Sequence, residues 1–304
     1  MYTLTRRRFL AATGAALVAM HSVATRAAEP ALRTIPRDGA KLPCIGLGTW
    51  QAFDIDNDAQ AISEALKTLQ LLLATPGPAR LIDTSPMYGR AEAALGRLLA
   101  KADVPQRAFI ATKVWTRGRA EGRAQIGQSL HLLGRQRIDL LQIHNLLDYD
   151  THLATLQALK HEGRIRYIGA THYTAAAHKD LVTRIERGAL DFVQVNYSVL
   201  EPEAAQTVFP AAAAHGVAVI VNRPFAEGEL LRRTRGKPLP ALARELGCGS
   251  WAQLALKFIL GQPAVTCVIP GTRNPAYLAD NIGAGEGAIP DEATCRRIAD
   301  LFLA

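Results

Sequence analysis

The segment RLIDTSPMYG, residues 80–89, shows the pattern from which the fold of this chain can be predicted. It is a short apolar run that closes on an acid, Asp83, and is followed five positions later by Tyr88. Seven similar runs occur elsewhere, and segments with the period of an amphipathic helix separate them. Their sequences are CIGLG, AFIATK, IDLLQIH, RYIGA, FVQVN, VAVIVN and VTCVIP. Eight alternating strand and helix units predict an α/β fold, the (β/α)8 TIM barrel.

The predicted helices carry Leu and Ala at spacings of three and four residues, which gives each helix an apolar face towards the strands. They cover residues 59–73, 92–100, 122–133, 153–162, 175–187, 204–215, 250–260 and 275–282. Residues 290–303 begin with Pro and acids and predict one additional terminal helix. No linker rich in Ser, Pro or charge divides the 304 residues, so residues 28–304 are expected to form a single domain.

Residues 1–27 differ from the rest of the chain. A basic start, an apolar stretch and small residues near the end of this segment indicate an export signal. The pattern RRRFL, residues 6–10, resembles the twin-arginine type, and cleavage is expected after Ala27. The apolar stretch is too short to span a bilayer comfortably, so no stable membrane anchor is expected. We therefore expect a periplasmic protein that the twin-arginine export machinery carries in its folded state.

Charge and cysteine content argue against a nucleic-acid-binding protein and against a metal site. The formal net charge is +8, and removal of residues 1–27, which hold four arginines and no acid, lowers it to +4. No basic run interleaved with aromatic residues follows, so no nucleic-acid partner is expected. The four cysteines are widely separated and lack C-x-x-C spacing, so no metal site is expected. A periplasmic disulfide is permitted, but buried free thiols are the favoured interpretation.

Four chemically complementary groups stand at the ends of apolar runs, where a parallel barrel carries its catalytic residues. Asp83 closes RLID, Tyr88 follows it, Lys113 closes AFIATK and His144 closes IDLLQIH. A free phenol has a pKa of roughly 10. An adjacent ammonium, held charged by a carboxylate, should lower that pKa and make Tyr88 a proton donor near neutral pH. His144 would orient a carbonyl oxygen or relay the proton.

At these positions the chain resembles the aldo-keto reductases. IDTSPMYG, TKVW and QIHN match the catalytic motifs of that family residue by residue, and the resemblance runs in order from LPCIGLGTW to IPGTRNPAYLADN. It implies that Asp83, Tyr88, Lys113 and His144 form a catalytic tetrad that reduces a small-molecule carbonyl substrate. We expect a monomer whose short C-terminal tail leaves an open pocket. Taken singly, Asp83, Lys113 and His144 also have structural interpretations, as a loop cap, a solvated charge and a core imidazole.

No G-x-G-x-x-G fingerprint is present, so a nucleotide would bind to barrel loops. The resemblance implies that Gly48, Thr49 and Trp50 lie beside the nicotinamide, Gln194 at its carboxamide and Arg223 against its ring. It also assigns the rest of the nucleotide to the segment after the eighth strand, namely Pro270, Gly271, Thr272, Arg273, Asp280 and Asn281. Trp50 and Trp115 are expected to line an apolar mouth for the substrate.

Two segments depart from the pattern of the family. Thr171 and His172 stand where the family usually has Ser and Asn, so His172 would contact the carboxamide through one hydrogen bond. Gly271 and Tyr277 occupy positions at which many NADP-selective members carry Lys and Arg. Arg273 and the preceding threonine are expected to replace that clamp, because a guanidinium can pair a phosphate bidentately. NADP is therefore favoured, and NAD stays possible.

Two other functions remain open from the sequence. One is a nicotinamide-nucleotide-sensing binding protein of the same fold with little turnover, similar to the reductase-like subunits of potassium channels. The other is a cofactor-free barrel lyase or isomerase that uses the same Lys and Asp. Binding without turnover would favour the first, and failure to bind any nicotinamide would favour the second. The loops at residues 51–58, 117–122 and 227–240 carry no pattern that names a substrate.

Overall fold

The computed structural model describes residues 31–304, in which eight parallel strands form a barrel. Two short strands, β1 Leu32–Thr34 and β2 Lys41–Pro43, precede it. The barrel strands are β3 Leu47–Gly48, β4 Arg80–Asp83, β5 Ala108–Val114, β6 Ile138–His144, β7 Ile165–Thr171, β8 Phe192–Asn196, β9 Ala218–Asn222 and β10 Val265–Val268. Their order around the sheet is their order in the sequence, which confirms the predicted (β/α)8 barrel. The predicted export signal at residues 1–27 lies outside the described residues.

The barrel closes where its first and last strands meet. Parallel bridges join Ile45 to Val268 and Gly48 to Gly271. The predicted strand CIGLG is regular only over β3, and the bridge at Ile45 extends it. A Cβ at Gly48 would lie 2.9 Å from the carbonyl oxygen of Ile269. Gly48 therefore permits the close backbone approach that closes the barrel.

Helices cover the outside of the barrel. They are α1 Ala59–Ala74, α2 Ala91–Leu99, α3 Arg119–Leu132, α4 Tyr149–His161, α5 His178–Glu186, α6 Val208–Ala214, α7 Glu229–Arg233, α8 Ala241–Glu245, α9 Trp251–Leu260, α10 Pro275–Gly283 and α11 Glu292–Leu303. The nine predicted helices are confirmed, although α5 and α6 begin later than predicted because short 3₁₀ turns precede them. The sequence did not predict α7 and α8, because five residues are too few to show a helical period.

The hairpin of β1 and β2 covers the N-terminal end of the barrel. Ile35 and Leu42 belong to the same buried cluster as Phe109, Tyr167 and Phe192, whose rings pack against one another inside the barrel. This hairpin was not predicted, because strands of three residues show no alternation, although a D-G turn signal lies between them. The hairpin and these rings block this end, so the open end is the one at which the strands terminate.

A buried carboxylate joins α2 to its neighbours. Thr112 of β5 donates to Glu92 Oε1 over 2.6 Å, and Ser129 of α3 donates to Oε2 over 2.9 Å. One turn later along α2, Gly96 lies against the C-terminal end of α3. A Cβ at Gly96 would overlap the carbonyl oxygen of Leu132. The backbones of α2 and α3 can therefore pack this closely only with glycine at this position.

We expect Gly96→Ala to destabilise the protein by about 1–3 kcal/mol, because α2 and α3 would have to move apart. Gly127→Ala is the matched control, since Gly127 lies in α3 and a methyl group added there would have nothing within 4 Å. That control should be neutral or stabilising by about 0.5–1 kcal/mol. Urea unfolding of both variants measures the difference. Equal stability of the two variants would contradict the close approach.

Within residues 31–304, no helix is both long and apolar enough to cross a membrane. In the same residues, His, Cys, Asp and Glu form no group of three that could hold a metal ion. The cysteines are free and buried, in agreement with the predicted thiols, and they are Cys44, Cys248, Cys267 and Cys295.

Candidate active site

The centre of the site is a buried ion pair at the C-terminal end of the barrel. Lys113 Nζ lies 2.7 Å from Asp83 Oδ1 and donates a second hydrogen bond of 2.7 Å to the carbonyl oxygen of Thr84. Both side chains of the pair are almost completely buried. Burial disfavours the ammonium form, but the charge and hydrogen bond of Asp83 together with the neighbouring Tyr88 outweigh this effect and raise the pKa of Lys113. Lys113 is therefore a cation at neutral pH.

Two glutamines complete the surroundings of Asp83. Gln142 Nε2 and Gln194 Nε2 both donate to Asp83 Oδ2, over 3.1 Å and 2.8 Å. Thr171 Oγ1 donates to Gln194 Oε1 over 3.0 Å, so the Gln194 amide is already engaged, and its contact with a carboxamide stays a prediction. Gln142 was not predicted. Its signal was its place two residues before His144, which puts both side chains on the same face of β6.

Tyr88 stands beside the ion pair on the loop after β4. Lys113 Nζ lies 4.8 Å from the centre of the Tyr88 ring, and the His144 ring meets it at 85° with the centroids 6.0 Å apart. The structure thus brings the four predicted groups together. The expected lowering of the Tyr88 pKa is wrong, because burial raises this pKa and Lys113 opposes the rise only in part. Tyr88 is a protonated phenol at neutral pH.

His144 ends β6 and faces the open end of the barrel. Its Nδ1 lies 3.2 Å from Ser85 Oγ, which itself accepts a hydrogen bond of 3.2 Å from the backbone nitrogen of Met87. Burial and the charge of Lys113 lower the pKa of His144 to about 3. His144 is therefore a neutral imidazole at neutral pH. Of its two predicted roles, this charge state favours orientation of a carbonyl oxygen. Ser85 was not predicted, although it belongs to IDTSPMYG.

Large apolar side chains surround the mouth. Trp50 follows β3 and is 48% exposed, and Trp115 follows β5 and is 39% exposed. Met87 on the same loop as Tyr88 is also 39% exposed. Exposed apolar groups at the rim of a cleft are typical of ligand sites. The substrate contacts of both tryptophans stay predictions.

Gly48 and Thr49, two of the residues predicted beside the nicotinamide, are buried at the end of β3. Thr49 donates to the carbonyl oxygen of Asp83 through its backbone nitrogen and through Oγ1, over 3.0 Å and 2.9 Å. Where the first and last strands of the barrel meet, Gly48 N donates to Pro270 O over 3.1 Å, and a parallel bridge joins Gly48 to Gly271. These backbone contacts give Gly48 and Thr49 a structural role, and their contacts with a nucleotide stay predictions.

His172 and Arg223 are held by local contacts. The His172 ring stacks on Tyr173 with the centroids 5.4 Å apart. The guanidinium of Arg223 pairs with Glu227 over 2.6 Å and with Glu201 over 3.4 Å, and the backbone of Arg223 has a φ of 51°. Such a left-handed conformation is uncommon for a residue other than glycine and is often found at functional sites. The nicotinamide contacts of both residues stay predictions.

The loop after β10 leads into α10. Thr272 Oγ1 accepts a hydrogen bond of 3.0 Å from the backbone nitrogen of Asn274, the residue that caps α10. Arg273 is exposed, and its Nε lies 3.5 Å from Glu64 Oε2 on α1. The loop therefore places a cation at the N-terminal end of a helix, where a phosphate is favoured.

Asp280 and Asn281 lie further along α10. Ser250 Oγ donates to Asp280 Oδ2 over 2.7 Å, and Gln253 Nε2 donates to Oδ1 over 2.9 Å, so this carboxylate ties α10 to α9. Asn281 is buried in α10. The nucleotide contacts predicted for both residues stay predictions.

The motifs and the geometry agree with a comparison against protein families. A family model described as the Aldo/keto reductase family matches residues 44–298. The chain belongs to the aldo/keto reductase family. It is therefore an NAD(P)H-dependent oxidoreductase, and the match spans all eight barrel strands.

Individual relatives agree with this assignment. An aldo-keto reductase of Mycolicibacterium smegmatis is 29% identical over 253 residues, which cover 80% of this chain and 84% of the relative. The NADH-specific methylglyoxal reductase of Escherichia coli is 26% identical over 300 residues, which cover 79% of this chain and 89% of the relative. The solved structure of an aldo/keto reductase from Klebsiella pneumoniae with NADP and acetate is 22% identical in sequence and superposes with a TM-score of 0.73. The superposition covers 87% of this chain and 93% of the Klebsiella chain. This last similarity concerns the fold.

The charge states of the site predict a flat pH profile for this aldo/keto reductase. Because Tyr88 stays protonated and His144 stays neutral, we expect kcat for carbonyl reduction to lack an inflexion between about pH 5 and about pH 8. Steady-state rates at saturating substrate and nucleotide test this. An inflexion near an ordinary histidine pKa that disappears in His144→Asn would show that the imidazole changes its charge during turnover.

Proposed function

We propose that this protein reduces aldehydes or ketones to alcohols, with NADPH as the preferred hydride donor and Tyr88 as the general acid. The observation that carries the proposal is the position of the Lys113 cation, between the Asp83 carboxylate and the Tyr88 ring. It lies at the open end of the barrel, where enzymes with this architecture have their active sites.

The side chains divide the chemistry among them. Reduced nicotinamide, when bound, supplies the hydride that the carbonyl carbon accepts. Tyr88 donates its phenolic proton to the carbonyl oxygen, and the Lys113 ammonium stabilises the phenolate that remains. We assign the Ser85–His144 hydrogen bond to the tautomer in which Ser85 Oγ, which also accepts a backbone N–H, donates its proton to His144 Nδ1. The imidazole hydrogen is then on Nε2, from which His144 can donate to the carbonyl oxygen.

The residues around the mouth suit a nicotinamide nucleotide. The buried Oδ1 of Asn222, at the end of β9, has no hydrogen-bond partner among the described residues, and a ligand amide that reached it would supply the missing donor. The neighbouring Arg223 and the exposed Trp50 supply planar groups at the rim. Arg273 and the start of α10 supply positive charge in the loop after the last strand, where barrels commonly bind phosphate. Asn222, Arg223 and Trp50 would hold the nicotinamide end of the nucleotide. Arg273 and the start of α10 would hold its phosphate end.

Fluorescence titration of residues 28–304 with NADPH, and separately with NADH, tests the proposal first. We expect saturable binding of both nucleotides, tighter for NADPH, and oxidation of NADPH when small aldehydes, sugars and lipid-derived carbonyls are added in turn. Binding of neither nucleotide would contradict the proposal. Tight binding with negligible turnover across that panel would instead favour the nucleotide-sensing alternative.

We also propose that the protein acts in the periplasm as a monomer, after export by the twin-arginine machinery. The support is the sequence pattern of residues 1–27, and export in the folded state suits a barrel that acquires its nucleotide in the cytoplasm. We expect Arg6→Lys together with Arg7→Lys to retain the full-length chain inside the cell. Cell fractionation and immunoblotting measure this, with Arg33→Lys as the control outside the signal. Undiminished export of the double variant would contradict this route.

A further inference from the structure

An ion pair links α1 to the loop that would bind the phosphate. Arg273 Nε lies 3.5 Å from Glu64 Oε2, with the two side chains 44% and 36% exposed. The other carboxylate oxygen, Oε1, accepts a hydrogen bond of 3.0 Å from Gln60 on the preceding turn of α1. Glu64 is therefore held with one oxygen towards the guanidinium.

The backbone keeps this pair in register. Thr68 lies one turn after Glu64 on α1, and its hydroxyl donates over 2.5 Å to the carbonyl oxygen of Arg273. Residues four apart on a helix lie on the same face, so the bond from Thr68 holds the loop where the side chains of Glu64 and Arg273 meet. The contact is thus built into the packing of α1 against the loop.

This carboxylate would compete with the 2′-phosphate of NADP for the same guanidinium. We propose that Glu64 sets the cofactor selectivity of this protein by lowering its preference for NADPH over NADH, an inference that rests on the proposed function. NADH carries a ribose hydroxyl in place of that phosphate, and a carboxylate can accept a hydrogen bond from such a hydroxyl. The ion pair is therefore compatible with NADH, whereas NADPH can engage the guanidinium only by displacing Glu64 from Arg273.

The test measures the ratio of the Kd values for NADH and NADPH, by fluorescence titration of the purified protein. We expect Glu64→Gln to move this ratio towards NADPH by about three- to tenfold, because the amide keeps the size of the side chain and removes its charge. Glu162→Gln is the matched control. Glu162 pairs with Arg123 over 3.2 Å at similar exposure, on the outside of α3 and α4, and its loss should leave the ratio unchanged.

A second variant tests whether Glu64 acts through Arg273. Arg273→Ala should weaken NADPH relative to NADH, and in that background Glu64→Gln should change the ratio by less than about twofold. The inference would be overturned if Glu64→Gln left the ratio of the two Kd values unchanged, or if it shifted that ratio equally with and without Arg273. Either result would leave the proposed function standing. Failure of the unaltered protein to bind either nucleotide would remove the proposed function and, with it, this role for Glu64.

Discussion

Replacement of Tyr88 by phenylalanine should lower kcat for carbonyl reduction by about 10²- to 10⁴-fold. The variant keeps the aromatic ring that Lys113 and His144 contact, at 4.8 Å and 6.0 Å from its centre, and loses only the hydroxyl. Because that hydroxyl is the proton donor in the proposed mechanism, the chemical step should suffer while the Kd for NADPH stays within about twofold of its original value. Single-turnover kinetics and fluorescence titration separate these two quantities.

Tyr149→Phe is the matched control for the loss of a phenol. The Tyr149 hydroxyl is buried on α4 outside the barrel and has no hydrogen-bond partner among the described residues. Its removal should leave kcat unchanged. If Tyr88→Phe retained full turnover, Tyr88 would not be the acid, whatever its position beside Lys113.

Lys113→Met should have the largest effect on stability, with an expected loss of about 3–5 kcal/mol. The side chain of Asp83 is 3% exposed and that of Lys113 is fully buried, so the substitution leaves a buried carboxylate without its cation. The hydrogen bonds from Gln142 and Gln194 remain but carry no compensating charge. Urea unfolding at neutral pH measures the loss, and turnover should fall as well because the Tyr88 phenolate loses its stabilising charge.

The double variant Asp83→Asn with Lys113→Met distinguishes this cause from a general disruption of the site. It removes both charges, so it should be more stable than Lys113→Met alone even though it carries one more substitution. A double variant that is less stable than Lys113→Met would show that the uncompensated charge of Asp83 is not the main cost.

Local sequence patterns were sufficient to predict the architecture and to single out the four side chains that meet in the candidate site. Apolar runs and helical periods depend on neighbouring residues only, so they predicted the barrel strands and the nine longer helices. Asp83, Lys113 and His144 each stand at the end of such a run, and strand ends of a parallel barrel meet at one face. The same patterns missed the β1–β2 hairpin, α7 and α8, whose elements of three and five residues are too short to show a period.

Contacts between side chains, and the charges that these side chains carry, depend on the closed barrel. Gln142 and Gln194 come from strands that are far apart in the sequence, and they meet at Asp83 because the barrel curves their inward faces together. Burial, which no local pattern measures, reverses the expected shift of the Tyr88 pKa and lowers that of His144. The contact of Glu64 with Arg273 likewise depends on the packing of α1 against the loop after β10. Periodicity and residue type are local properties, so the sequence was enough to predict the strands and to place Asp83, Lys113 and His144 of the candidate site at their ends. Hydrogen-bond partners, desolvation and ion pairing were decided by the closed barrel, because they depend on distances between segments that are remote along the chain.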